Sequence, residues 1–336
     1  MNIREVFDVI DLHAGGEPLR IITAGYPPLR GRTVLDQRDE LLAHYDHYRR
    51  RLMAEPWGHE DMSGCLLVSP ERPDSLYGLI FMHNQGYSFL FGHAILAVTK
   101  MLVETGQVVF QAGAKDVSVR YDVPYGQITA HARLHQGCVS SVWFENVPAY
   151  VVALDQVISI GSRSIDIDVA FSGAFYALVD VKALQKSVNF HDLDDLRQWA
   201  QDIKAAVETL GLARHPHEPR FDGIDGVVFT DSADSPDHLS RQVTVFADGA
   251  VDRSPGSSGI SARLAVLGRR QRVERNRTYF FESVIDTIFG GIVLGDAPPV
   301  DGHMGIRTAV EGQAFLTAFR RFYENPFDKQ GPFLLR

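Results

Sequence analysis

The sequence predicts an α+β protein of two pseudo-symmetric domains, and three observations carry that prediction. The chain has 336 residues, more than one small core needs and suited to two domains of about 150 residues each. Its two halves run through the same order of elements: short β-patterned runs, an amphipathic helix, more β-patterned runs, then a Gly-containing loop that opens an apolar helix. Those two helix starts, Ser88-Phe89-Leu90-Phe91-Gly92-His93 and Asp252-Arg253-Ser254-Pro255-Gly256-Ser257-Ser258-Gly259, stand in equivalent places, as an ancient duplication would leave them.

Taken in order, Val9-Ile10-Asp11-Leu12, Leu19-Arg20-Ile21-Ile22, Cys65-Leu66-Leu67-Val68 and Tyr77-Gly78-Leu79-Ile80-Phe81-Met82 have the β-branched and aromatic content of strands. Between them Asp39 to Ala54 reads as one amphipathic helix with Leu41, Leu42, Tyr45, Leu52 and Met53 on one side, ended by Pro56. The apolar helix from near Gly92 stops at Gly106, a glycine in the usual place beyond a helix C-terminus. Strands resume at Val117 to Tyr121, Ser141 to Phe144 and Ala174 to Val179. A helix follows from Leu193 to Leu210, with Leu196, Trp199, Ile203, Val207 and Leu210 at helical spacing. Runs at Ile224 to Phe229 and Val243 to Phe246, the second apolar helix, and strands around Thr278 to Leu294 complete the second half. The first domain is expected to take residues 1–130 with about 315–336, and the second 131–314.

Composition narrows the function. Hydrophobic residues at 45% and charged residues at 22% are those of a globular protein. A net charge of −9 without a basic face argues against nucleic acid. The longest basic cluster, Arg269-Arg270-Gln271-Arg272, reads as favourable charge near a helix C-terminus. No apolar run reaches the roughly 18 residues of a spanning helix, so no membrane partner and a cytoplasmic location are expected. Cys65 and Cys138 flank no metal or redox spacing; core packing is expected for Cys65, and Cys138, near a turn, reads as structural. His59 and Asp61 lack a third ligand by spacing, so no metal is expected and a hydrogen-bonded surface or domain-contact role is the better reading.

The chemistry points to the two helix starts. A helix N-terminus offers unpaired N–H donors and the positive end of its dipole, and two such ends facing one ligand would hold a carboxylate. His93 and Asp252 are the titratable residues at these starts and the acid/base candidates. Ser257 and Ser258 read as hydrogen-bond donors, because an unassisted hydroxyl is a weak base.

These motifs resemble the proline racemase family, whose members include proline racemase, 4-hydroxyproline 2-epimerase and trans-3-hydroxy-L-proline dehydratase. The likeness runs through Asp11-Leu12-His13-Ala14-Gly15-Gly16-Glu17-Pro18-Leu19-Arg20, Glu55 to Gly64, Phe81-Met82-His83-Asn84-Gln85-Gly86-Tyr87, Gly173 to Asp180 and Asp252-Arg253-Ser254-Pro255. The resemblance implies a fold shared with diaminopimelate epimerase, each domain a curved sheet around a central helix, with the substrate in the cleft between domains and no cofactor. It implies a small amino-acid or imino-acid substrate, its carboxylate on the amides of Gly92, His93, Ser257 and Ser258 and its amine held by Asp252 and His93. Family members often form dimers, so the resemblance leaves a homodimer open.

The sequence departs from that family at two positions. The family's Met-Cys-Gly-His is Leu90-Phe91-Gly92-His93 here, and its Asp-Arg-Ser-Pro-Cys-Gly-Thr-Gly is Asp252-Arg253-Ser254-Pro255-Gly256-Ser257-Ser258-Gly259. Phe91 and Gly256 therefore stand where the racemases carry the two cysteines that exchange the α-proton. Gly92-His93-Ala94 and Ser258-Gly259 are closer to the dehydratases, which the resemblance says keep a hydroxyl residue at the second cysteine position and the first cysteine as base. A dehydratase-like lyase on a proline-like imino acid is the leading expectation. A silent imino-acid binder, or an isomerase on another amino-acid-like substrate, are the alternatives.

Overall fold

The computed structural model describes residues 5–246 and 249–335. The chain divides into two compact units, Met1–Val142 with Gln313–Arg336, and Trp143–Gly312. The first contains β1 (Val6–Ala14), β2 (Glu17–Ala24), α1 (Val34–Glu40), α2 (Asp46–Met53), β3 (Ser63–Val68), β4 (Tyr77–His83), β5 (Tyr87–Ser88), α3 (Gly92–Glu104), β6 (Asp116–Val123) and β7 (Gly126–His135), and β8 (Cys138–Glu145) leads out of it. The second contains β9 (Ala149–Ile160), β10 (Arg163–Phe171), β11 (Phe175–Asp180), α4 (Leu193–Thr209), β12 (Ile224–Asp231), β13 (Ser240–Phe246), α5 (Ser257–Arg269), β14 (Thr278–Glu282), β15 (Ile288–Val300) and β16 (His303–Gly312). The chain then returns to the first unit as β17 (Ala314–Tyr323).

In the first unit β1 lies between β2 and β17, antiparallel to both. Ala14 pairs with Glu17, so the β1–β2 hairpin turns on Gly15 and Gly16 alone, at φ 56° and 86°. A two-residue turn with both φ positive matches strand twist and calls for residues without a Cβ. From β2 the sheet continues through β3 (parallel), β4 (antiparallel), β6 (parallel to β4) and β7 (antiparallel). α3 packs against β1, β2, β7 and β17 and is buried along almost its whole length. An apolar helix buried on all faces belongs at the centre of its unit.

The strands of the second unit close on themselves. Pairing runs from β9 through β10, β11, β12, β13, β14, β15 and β16, and β16 returns to β9 at Gly305 opposite Tyr150. α5 packs against β9, β10, β11, β15 and β16, and Ala262 and Val266 on it join Tyr176, Leu178 and Val228 in one apolar cluster. Burying side chains of this size contributes about 1.5–3 kcal/mol each for the larger ones.

The two buried helices end alike. After α3, the Gly106 and Gln107 amides donate back to Val103 O and Leu102 O; after α5, those of Gln271 and Arg272 donate to Gly268 O and Leu267 O. Both are Schellman endings, and the residue at the turn has positive φ, 76° for Gly106 and 56° for Gln271. Arg270, from the basic cluster, is tied to Asp168 and Asp155.

Two helix expectations need correction. The single helix expected over Asp39–Ala54 starts earlier, at Val34, because Thr33 and Asp36 form a capping box in which each side chain accepts from the other's backbone amide. A π turn over Leu41–Tyr45 then separates α1 from α2, and its extra residue rotates the stripe, leaving Leu42 54% exposed while Leu41, Leu52 and Met53 are buried. In α4 the buried seam is Leu196, Ala200, Ile203 and Val207; Leu210 lies beyond the helix and is exposed.

Candidate active site

Each unit places one polar cluster at the start of its buried helix. In the first, Phe91 is the N-cap of α3 and Gly92 its first residue, and a phenylalanine has no oxygen to cap the amides that follow. The Phe91 ring is buried. It stacks on His93 at 5.1 Å between centroids and lies 5.9 Å from Phe81 and 6.2 Å from His83.

His93 is 3% exposed, and its Nε2 is 3.0 Å from Ser63 Oγ. Ser63 donates its one hydroxyl proton to Pro18 O at 2.5 Å. The serine oxygen can then only accept from the imidazole, which places the ring proton on Nε2 and leaves the Nδ1 lone pair unspent. Burial holds the imidazolium pKa down to about 3, so His93 is neutral around neutral pH.

In the second unit Gly256 is the N-cap of α5, at φ 77°, and again no cap oxygen covers the first amides. Asp252 lies just upstream and is 3% exposed. Its Oδ1 accepts from the Ser254 amide at 2.9 Å and the Ser254 hydroxyl at 2.7 Å, and Ser254 Oγ accepts in turn from the Gly256 amide at 3.1 Å. No hydrogen bond to Oδ2 is found among the described residues. Burial raises the Asp252 pKa to about 6 against the lowering pull of Ser254 and Arg253. Below that pH the carboxyl is protonated; above it, a buried carboxylate with one free oxygen faces the helix start.

The two serines separate. The Ser258 hydroxyl meets Tyr176, and its carbonyl accepts from Ser172 Oγ at 2.9 Å. Ser257 Oγ is buried and has no partner. Of the pair, Ser257 has the side chain that remains available.

The other sequence candidates stay outside these clusters. Cys65 is fully buried in β3 and burial pushes its thiol pKa up, which makes it inert. Cys138 is exposed at the start of β8. His59 Nδ1 lies 2.6 Å from Glu60 O, and no group of three metal-ligating side chains occurs among the described residues. No helix among them is long and apolar enough to cross a membrane.

Sequence reasoning missed Ser63, which fixes the His93 tautomer from a strand thirty residues away. The signal was its place in the Glu55 to Gly64 motif. Gln242 and Thr244 on β13, which no motif marks, also border the second cluster: Gln242 Nε2 donates to Pro255 O at 2.6 Å and Thr244 O accepts from the Asp252 amide at 2.9 Å.

The chain as a whole is similar to known proteins. The proline racemase family model matches residues 9–333. A protein named trans-3-hydroxy-L-proline dehydratase from Bacillus thuringiensis subsp. konkukian is 40% identical, covering 98% of this chain and 97% of its own. A Homo sapiens protein of the same name is 36% identical, covering 94% and 91%. Among solved structures, a hydroxyproline epimerase from Agrobacterium vitis with bound trans-4-hydroxy-L-proline superposes with a TM-score of 0.91 at 28% identity, covering 100% of this chain and 96% of that one. The α+β, diaminopimelate epimerase-like fold expected from the motifs is therefore the fold of this protein. With the motifs, the fold and the match along nearly its whole length in agreement, the chain belongs to the proline racemase family.

Proposed function

We propose that the protein is a dehydratase-like lyase on a 3-hydroxylated, proline-like imino acid, with a carboxylate in place of the family's thiol base. The observation that carries this reading is Asp252, a buried acid with one free oxygen whose pKa is raised to about 6, so that near neutral pH it is ionised yet still basic enough to accept a proton. Beside Asp252, the uncapped amides of α5 suit a carboxylate; in the first unit, the uncapped amides of α3 suit the same group and the His93 Nδ1 lone pair suits an amine donor.

In the reaction, Asp252 Oδ2 takes the α-proton. The electron pair of the α-carbon–hydrogen bond forms the α–β double bond, and the β-carbon–oxygen bond breaks. The hydroxyl leaves with a proton as water, and the enamine tautomerises to the cyclic ketimine. Elimination needs a base on one face only, which fits a chain with Phe91 at one cysteine position and Gly256 at the other.

The reading follows the names of the relatives and the chemistry of the acid that is present. Its test is incubation of the purified protein with trans-3-hydroxy-L-proline, expecting ketimine formation and loss of the α-hydrogen. No ketimine from that compound or from other hydroxyprolines, and no α-hydrogen exchange in deuterated water, would overturn it.

A further inference from the structure

One face of β13 carries a row of buried polar atoms with nothing to bond. Ser240, Gln242 and Thr244 alternate along this strand, at 4%, 0% and 2% exposure, and Ser240 Oγ, Gln242 Oε1 and Thr244 Oγ1 each lack a hydrogen-bond partner. Successive strand residues point to opposite sides, so these three share a face while Val243 and Val245 take the other. A buried polar atom without a partner costs about 1–3 kcal/mol, so two hydroxyls and an amide oxygen along one strand face, together with the unpartnered Ser257 Oγ next to Gly256 in sequence, call for a function.

The position of Thr244 supplies one. A Cβ built on Gly256 would stand 2.8 Å from Thr244 Oγ1 and 3.3 Å from Asp252 Oδ2. The Thr244 oxygen thus lies against the point where the side chain of residue 256 would begin. A Cβ on Gly259, one turn into α5, would also meet it, at 3.0 Å. With a glycine at 256, the hydroxyl at this helix start comes from the neighbouring strand.

We propose that Thr244 is a substrate-contacting residue whose hydroxyl replaces the missing side chain at position 256 and, with Ser257 Oγ, hydrogen-bonds the polar group that the substrate presents beside Asp252. This inference rests on the proposed function. It makes Thr244 a determinant of affinity for the hydroxylated imino acid and assigns it no proton transfer.

The test is calorimetric binding of trans-3-hydroxy-L-proline and of the planar analogue pyrrole-2-carboxylate to wild type, Thr244→Val and Thr244→Ser, with thermal melts of all three. Thr244→Val keeps the shape and removes an unpaired hydroxyl, so it should melt at or above the wild-type temperature while binding the hydroxyproline at least tenfold more weakly. Thr244→Ser should stay within about threefold of wild type, because one good hydrogen bond corresponds to roughly a tenfold change. Wild-type binding that is unchanged in Thr244→Val overturns the inference and leaves the proposed function standing. A wild type that binds neither compound overturns both, and a Thr244→Val variant that melts lower with unchanged affinity shows a packing role instead.

Discussion

The starts of α3 and α5 are the same device filled in opposite ways. Both helices are thirteen residues long, buried, left uncapped at the front and closed by a Schellman turn. At α3 the position where the resemblance expects a cysteine holds Phe91, whose ring packs on His93 and Phe81 and occupies the place with apolar surface. At α5 it holds Gly256, and around that glycine stand a carboxylate oxygen and hydroxyls without partners. The first start has kept a neutral histidine and lost polarity; the second has kept an acid and gained unspent hydrogen bonds. The difference leaves the acid and the unpartnered hydroxyls together in the second unit, which is why the proposed proton chemistry is placed there.

The largest expected effect tests that asymmetry directly. Asp252→Asn should lower turnover of trans-3-hydroxy-L-proline by about a thousandfold, within the range of a general base removed; if steady-state rates fall less than tenfold, the base lies elsewhere. Wild-type turnover should also rise about tenfold per pH unit below pH 6 and level off above it, following ionisation of Asp252. A rate–pH profile with no inflection near there would assign the chemistry to another group.

Phe91→Ala should cost about 3 kcal/mol in urea unfolding, as a buried aromatic ring removed from a packed stack. A loss below 1 kcal/mol would mean that the ring does not fill its site. Gly256→Ala should cost about 2 kcal/mol, from the positive φ and from contact with Thr244 Oγ1. Part of that cost should vanish in the Thr244→Ala background, because the next threonine atom, Cβ, is 3.8 Å away. Equal costs in both backgrounds would break the link between positions 244 and 256.

The smallest effect separates the two titrating groups. His93 has a folded pKa near 3 against 6.5 unfolded, so between those values only the unfolded chain takes up the proton and stability falls as pH falls. Asp252 has a folded pKa near 6 against 3.8, so across that window only the folded chain holds the proton and stability falls as pH rises. The two slopes oppose each other between about pH 4 and 6. Asp252→Asn removes one of them, and the variant should lose about 1 kcal/mol per pH unit more than wild type on acidification through that window. Parallel stability curves from denaturant titrations would show that these shifts are not what the two clusters contribute.

The strand runs, both buried helices and the repeated order were legible because each depends on local pattern: β-branched runs, apolar stretches of helical length and glycine at Gly106. The continuous helix over Asp39–Ala54 misled because a π turn preserves composition while rotating the stripe, which no period in the sequence records. Of the candidate site, His93, Asp252 and the serines stood in motifs, whereas Ser63 and Thr244 lie on strands beside the helix starts. The hydrogen bond that sets the His93 tautomer spans thirty residues, and Thr244 lies twelve residues before the glycine it abuts.

By itself the sequence determined the family, the fold class and the presence of Phe91 and Gly256 at the two helix starts, because those are matters of residue identity and order. Only the tertiary structure decided which remaining groups can act. Burial made His93 a neutral acceptor and Asp252 a carboxylate poised near pH 6, and strand pairing set a threonine hydroxyl beside a bare glycine. Desolvation and hydrogen-bond partnership belong to the environment of an atom, and that environment is assembled from segments distant in the chain.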